Sequence, residues 1–522
     1  MTDAISYDGV TFHYPDTSRP ALENVSIGIP DGSFTLVTGS TGSGKSTLLR
    51  AANGLVPHFT GGIFSGSVSA GGRNTLDTAP RDLAGTIAYV PQDPVASFVL
   101  DRVEDELAYG MENLGIPPGQ MRRRVEETLD LLDIESLRGR SVRAISGGER
   151  QRVAIAAAMA AGPSTLILDE PTSQLDPQGA EDVLAALQRL VHDHGMTVLL
   201  AEHRLERVAG FADFAVGCSE GRVRIGPPSE IVGEAGPPVA RLGRLVGWEP
   251  LPLTVREARA SAERLDLGAP ATQPSPAPGD PMVEARGLSA GYGRTEVLHD
   301  ISLRVSEGEV VAVMGRNGAG KTTLLRCLAG VHAPSEGSVG LRGSSPRPGV
   351  DSALCPQEPE SILFSDTVEN EVRATLRARG RAETPADALG LLGITRFATR
   401  HPRDLSAGER LLVAAAAVIA SGAPLLLLDE PTKGLDPESK GRLAGFLRAF
   451  AASGRAAIFA THDVELAASV ASRVVMLAGG EIIADGDPAT VLGDSKVFAP
   501  QMTRVFGPGW LTPEQVARAA SA

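Results

Sequence analysis

Two strings of small residues, GSTGSGKST at 39–47 and GRNGAGKTT at 315–323, each carry a lysine followed by a hydroxyl side chain. Glycines such as Gly42, Gly44, Gly318 and Gly320 let successive backbone N–H groups curl toward one anion, and a helix that follows points its positive end at the same place. Lys45 and Lys321 would then put a point charge on the terminal phosphates, and Ser46 and Thr322 a hydroxyl on Mg²⁺. The chemistry implied is binding of a nucleotide's phosphates with their magnesium. The contact residues expected are Gly39, Ser40, Thr41, Gly42, Ser43, Gly44, Lys45, Ser46 and Thr47 in one string. In the other they are Gly315, Arg316, Asn317, Gly318, Ala319, Gly320, Lys321, Thr322 and Thr323.

Cleavage of the nucleotide needs a metal ligand and a group that activates water. TLILDEPTSQLDP at 165–177 and LLLLDEPTKGLDP at 425–437 each end an apolar run in an Asp-Glu pair. Asp169 and Asp429 would hold the magnesium, and Glu170 and Glu430 would orient and polarise the attacking water. Gln92 and Gln357 each follow a strand and could coordinate the metal or the water. His203 and His462, at further strand ends, could hydrogen-bond the γ-phosphate.

The elements that must position these groups are legible as well. SFTLVTG, TLILDE and TVLLAEH read as buried strands, while KSTLLRAANG and DVLAALQRLVHD read as helices. Alternation of this kind predicts an α/β fold with a mainly parallel sheet covered on both faces. Every motif occurs twice, so the 522 residues are read as two homologous P-loop domains. The expected boundaries are 1–240 for the first, 241–281 for its extension and a Pro/Ala-rich linker, 282–500 for the second, and 501–522 for a tail.

Net charge −14 argues against a general nucleic-acid binder. The three cysteines form no Cys-x-x-Cys pair, which points to buried thiols in a reducing compartment, not to zinc or disulfides. The first ten residues lack the basic and apolar regions of a signal peptide. The uncharged run 411–428 is long enough to suggest a membrane span, but Gly422 and Pro424 divide it into a buried helix and a buried strand.

Phosphate loop, glutamine, Ser-Gly-Gly string, Asp-Glu pair, Leu-Asp loop and histidine recur in one order, twice. The chain thereby resembles a tandem pair of ABC-type ATPase domains over nearly its whole length outside the linker. The resemblance implies a helical subdomain in each half and a head-to-tail pairing in which one half's phosphate loop shares a nucleotide with the other half's signature. Lys45 would share with Ser406, Ala407 and Gly408, and Lys321 with Ser146, Gly147 and Gly148. It also makes Tyr14 and Tyr292 platforms for adenine. Ala407 departs from the family's glycine, so the site using Ser406 is expected to be the slower of two active sites.

What the hydrolysis drives is suggested by VEDELAYGMEN at 103–113, which resembles a segment of ATPase components of energy-coupling-factor importers. That resemblance implies a transmembrane protein whose Arg-bearing cytoplasmic helices meet Glu104, Asp105, Glu106, Tyr109 and Glu112, together with a separate membrane protein that captures a vitamin or metal ion. It implies a peripheral location on the cytoplasmic face of the membrane. Alternatives are a ribosome-associated translation factor, for which the linker is short and the protein acidic, and the fused ATPase of a sugar importer.

Overall fold

A computed structural model describes residues 2–15, 17–173, 175, 177–233, 236–270 and 279–521. The centre of the Pro/Ala-rich linker therefore lies outside the described residues. The chain divides into two compact units, Met1–Ala240 and Arg241–Ala522.

In the first unit the central sheet runs Arg222–Gly226, Phe214–Ser219, Phe34–Gly39, Thr197–Ala201, Thr165–Asp169, Ile87–Val90. All neighbours are parallel except the edge pair Arg222–Gly226 and Phe214–Ser219. The second unit repeats the order with Glu481–Gly486, Arg473–Ala478, Val310–Met314, Ala456–Ala460, Leu425–Asp429 and Ser352–Cys355. Strands Thr165–Asp169, Thr197–Ala201, Leu425–Asp429 and Ala456–Ala460 are buried at every residue, as expected where helices cover both faces. Register is conserved between the units: Asp169 stands opposite Ala201, and Asp429 opposite Ala460.

Each unit also holds a separate antiparallel sheet, which the alternation of apolar runs and helices does not reveal. In the first unit it orders Leu22–Pro30, Asp3–His13, Ile63–Ala70 and Arg73–Asn74; in the second, Thr295–Ser306, Pro281–Tyr292 and Glu336–Leu341. The period-two signal is broken at Gly9, whose φ of 58° accompanies a register shift, so the buried set slips from Ile5 and Tyr7 to Val10 and Phe12.

The uncharged run behaves as its Gly and Pro imply, giving the helix Ala407–Ile419 and then the strand Leu425–Asp429. Among the described residues no helix is long and apolar enough to cross a membrane. One segment is placed differently from its sequence reading. Residues 241–262, read as an extension of the first domain, belong to the second unit. There the helix Val255–Ala262 packs on the helix Gln501–Phe506, Arg259 Nε donates to the Arg504 carbonyl at 2.9 Å, and Arg241 pairs with Glu514. That these segments pack on each other is not visible in the sequence, because the partners are far apart along the chain.

Candidate functional site

In the first unit the strand Phe34–Gly39 delivers the glycine-rich loop to the helix Lys45–Ala52. Gly44 caps that helix at φ 105°, and an added Cβ would stand 2.4 Å from the Ala21 carbonyl, so only glycine fits. Gly42, at φ +78°, has open space where a side chain would stand. Lys45 is buried, and its Nζ donates to the Gly39 and Ser40 carbonyls at 2.9 and 3.0 Å. The loop thus closes around an ammonium, with the helix N-terminus behind it.

The acidic pair arrives at the same place from the neighbouring strands. Asp169 is 4% exposed and bonded to the Ser46 and Tyr89 hydroxyls, the latter at 3.2 Å. Burial, with the adjacent Glu170 charge, raises its pKa above the usual carboxylate value; such a group gains from a cation. Hydroxyl and carboxylate oxygens in contact are the hard donors that Mg²⁺ takes alongside substrate phosphates, so these residues fit magnesium-bound ATP.

Glu170 lies in the left-handed region at φ 51°, a conformation that costs a non-glycine residue roughly 1–3 kcal/mol. Its backbone N–H is fixed to the Ala201 carbonyl at 2.9 Å. Gln92 Nε2 donates to Glu170 Oε2 at 2.8 Å, and His203 Nε2 lies 2.9 Å from Oε1. Burial raises the Glu170 pKa, but His203, Lys45 and Gln92 outweigh it and hold the carboxyl below its ordinary value. A carboxylate kept ionised between an imidazole and an amide can orient a water and accept its proton.

The second unit rebuilds most of this. Gly320 caps the helix Lys321–Leu328 at φ 100°, and Lys321 Nζ donates to the Gly315 and Arg316 carbonyls at 2.8 and 3.1 Å. Thr322 bonds to Asp429, whose pKa is raised by burial. Glu430 repeats φ 51°, and His462 meets it through Nδ1, at 2.7 Å from Oε2. The glutamines diverge: Gln92 is half-buried on Glu170, whereas Gln357 is exposed.

The tyrosines differ too. Tyr14 is half-buried, stacks edge-on against Phe12 at 4.8 Å and shares a hydrogen bond with Thr47 at 3.1 Å. Tyr292 is 45% exposed, with its ring 4.8 Å from His332 and its hydroxyl accepting from Arg326 at 3.2 Å.

Ser146 and Ser406 cap the helices Gly147–Ala160 and Ala407–Ile419, each in a reciprocal box with Glu149 or Glu409. The residues after them begin those helices, so Ala407 needs no glycine conformation. Gly408 does need its missing side chain, since a Cβ would lie 2.2 Å from the Gly434 carbonyl.

The acidic stretch forms the helix Val103–Asn113. Asp105, Tyr109 and Glu112 are exposed, and Glu104 lies 3.7 Å from Arg138. Glu106 departs from the expectation of a partner-facing acid. It is 5% exposed and accepts the Val99 and Leu100 N–H groups at 3.0 and 2.6 Å, fixing the loop that leads from Gln92. Glu371 does the same for Phe364 and Ser365 in the second unit, at 2.8 and 2.7 Å. Neither role is marked by residue type, because an acid in a helix's first turn reads as solvated.

The ABC transporter family pattern matches residues 22–173 and 298–433. A protein of Streptomyces avermitilis named as an ABC transporter ATP-binding protein is 47% identical over 559 residues, covering 99% of this chain and all of that one. One of Methanosarcina mazei with the same description is 34% identical over 93% of this chain and 89% of its own. Among solved structures, an RNase-L inhibitor superposes with TM-score 0.59 at 22% identity, over 91% of this chain and 90% of that one. An archaeal ribosome recycling factor, solved with a ribosomal stalk protein, gives 0.61 at 23% over 92% and 90%. Those two likenesses concern the fold alone. By sequence pattern and relatives together, the chain belongs to the ABC transporter family: it is an ATPase with two ABC domains in tandem, working with ATP and Mg²⁺.

Proposed function

We propose that this chain is the ATP-hydrolysing subunit of an energy-coupling-factor type importer that takes up a vitamin or a transition-metal ion. It works from the cytoplasmic face of the membrane. Asp169 and Asp429, with Ser46, Thr322, Gln92 and Gln357, serve the magnesium; Glu170 and Glu430 activate water, and His203 and His462 attend the γ-phosphate. ATP is shared head to tail, Lys45 with Ser406, Ala407 and Gly408, and Lys321 with Ser146, Gly147 and Gly148.

The observation that supports coupling is one continuous path in the first unit. Gln92 holds Glu170 at one end of a loop, and Glu106 clamps the other end beneath a helix that exposes Asp105, Tyr109 and Glu112. A change at the water-activating carboxylate therefore reaches an acidic surface suited to arginine-bearing helices.

The rival reading, a ribosome-associated factor, draws on the tandem fold shared with the recycling factor. Purification of the tagged chain from native membranes in mild detergent separates the two. Co-purification of a polytopic protein and a small membrane protein, lost on charge reversal at Asp105 and Glu112, supports the importer. Ribosomal proteins in their place would sink it.

A further inference from the structure

Glu202 is a carboxylate with 1% exposure whose side-chain hydrogen bonds, among the described residues, go to Thr172, His203 and Arg204 and not to the phosphate loop. A buried charge is costly unless hydrogen bonds replace its water, and here three do. The Thr172 hydroxyl donates to Oε2, while the backbone N–H groups of His203 and Arg204 donate to Oε1 at 2.8 and 3.1 Å. Glu202's own N–H is tied to the Val37 carbonyl at 3.3 Å, on the strand that feeds the phosphate loop. Thr172 lies two residues beyond Glu170, and His203 one residue beyond Glu202. One side chain therefore fastens the segment that carries Glu170 to the segment that carries His203, the two groups found 2.9 Å apart.

The second unit supplies an internal comparison. With the same strand register, Thr461 stands where Glu202 stands, and its N–H bonds the Val313 carbonyl at 3.0 Å. The Thr461 hydroxyl accepts only from the Asp463 N–H, at 3.0 Å, and Thr432, the counterpart of Thr172, leaves its buried hydroxyl without a hydrogen bond among the described residues. The segment after His462 is tied elsewhere, through Asp463 to Lys440 at 2.8 Å on the helix Pro437–Ala452. The two segments that carry the histidines are held by different means.

We propose that Glu202 is a positioning residue for ATP hydrolysis in the first unit. Through Thr172 and the His203 backbone it sets the imidazole against Glu170, a staple that the second unit lacks. Its loss loosens the geometry of the reacting groups without removing a nucleotide contact, so it acts on turnover and spares binding.

The test uses the full chain carrying Glu430→Gln, so that first-unit chemistry is read alone, with single-turnover phosphate release and fluorescent-ATP binding measured together. Thr172→Val keeps shape and removes only the donor. It should lower the single-turnover rate on the order of tenfold, as small misplacements of reacting groups do, with ATP affinity changed less than about twofold. Thr172→Ser should restore the rate, and Glu202→Gln combined with Thr172→Val should be no slower than Glu202→Gln alone. Thr432→Val, in a Glu170→Gln chain, should be silent because that hydroxyl has no partner to lose. If Glu202→Gln fails to fold, the valine and serine variants decide. An unchanged rate in Thr172→Val, an equal fall in Thr432→Val, or weakened ATP binding at an unchanged rate would each overturn the proposal.

Discussion

His203 Nε2 stands 2.9 Å from Glu170 Oε1, whereas His462 presents Nδ1 to Glu430 Oε2 at 2.7 Å. The ring is turned differently in the two units, so a different nitrogen faces the carboxylate in each. Both carboxylates share φ 51°, so the backbone that carries them is the same and the side-chain surroundings differ.

Replacing the proposed water-activating groups removes catalysis and leaves binding. Glu170→Gln or Glu430→Gln should lower the turnover of its own site by ~10²–10⁴-fold, the usual contribution of a positioned general base. ATP affinity should hold. Steady-state rates of the two single variants should differ, because the signatures differ at Ala407. Equal losses would remove the asymmetry.

Ala407→Gly isolates that difference. The residue opens a helix and carries no conformational need for glycine, so the change costs at most about 1 kcal/mol of helix stability. If the methyl crowds a nucleotide opposite it, turnover rises when it is removed. An ATPase assay showing no gain would assign the asymmetry to another residue.

Glu106→Ala should act on stability. Two loop N–H groups, of Val99 and Leu100, lose the carboxylate that accepts from them, at a cost of about 1–3 kcal/mol, read as a fall in the first thermal transition. Asp105→Ala and Glu112→Ala, on exposed side chains, should leave that transition within about 0.5 kcal/mol of the parent. Co-purification with membrane proteins is where the latter two should differ from the parent.

The cysteines should be inert in the folded chain. Burial pushes the Cys218 and Cys355 thiols up to about 12 and Cys327 to about 11, all from 9.0. At pH 8 a thiol-specific reagent should label them slowly, and all three should react on unfolding. Their raised pKa values also set a direction for stability. Below 9.0 both states keep the proton, and above it the unfolded thiols ionise first, so their contribution falls as pH climbs toward about 12. Denaturant midpoints across alkaline pH check the sign.

Sequence alone determined the tandem repeat, the central strands and the residues at their ends. A phosphate loop needs glycine at Gly44, and an all-buried strand is mostly apolar before its closing acid, as Leu166, Ile167 and Leu168 are before Asp169, so these demands are written in residue type at fixed spacing. The antiparallel sheets escaped because Gly9 interrupts the two-residue period, and the packing of the extension against the tail escaped because Arg259 and Arg504 are distant along the chain. The fate of an acid was also a tertiary decision. Glu104, Asp105 and Glu106 are neighbours of one kind, yet only Glu106 meets two loop N–H groups and turns inward. Residue type at the end of the strand Thr197–Ala201 gives no sign of what Glu202 bonds. Its burial against Thr172 exists only because parallel pairing brings the end of Thr197–Ala201 beside the end of Thr165–Asp169, a contact no local pattern encodes.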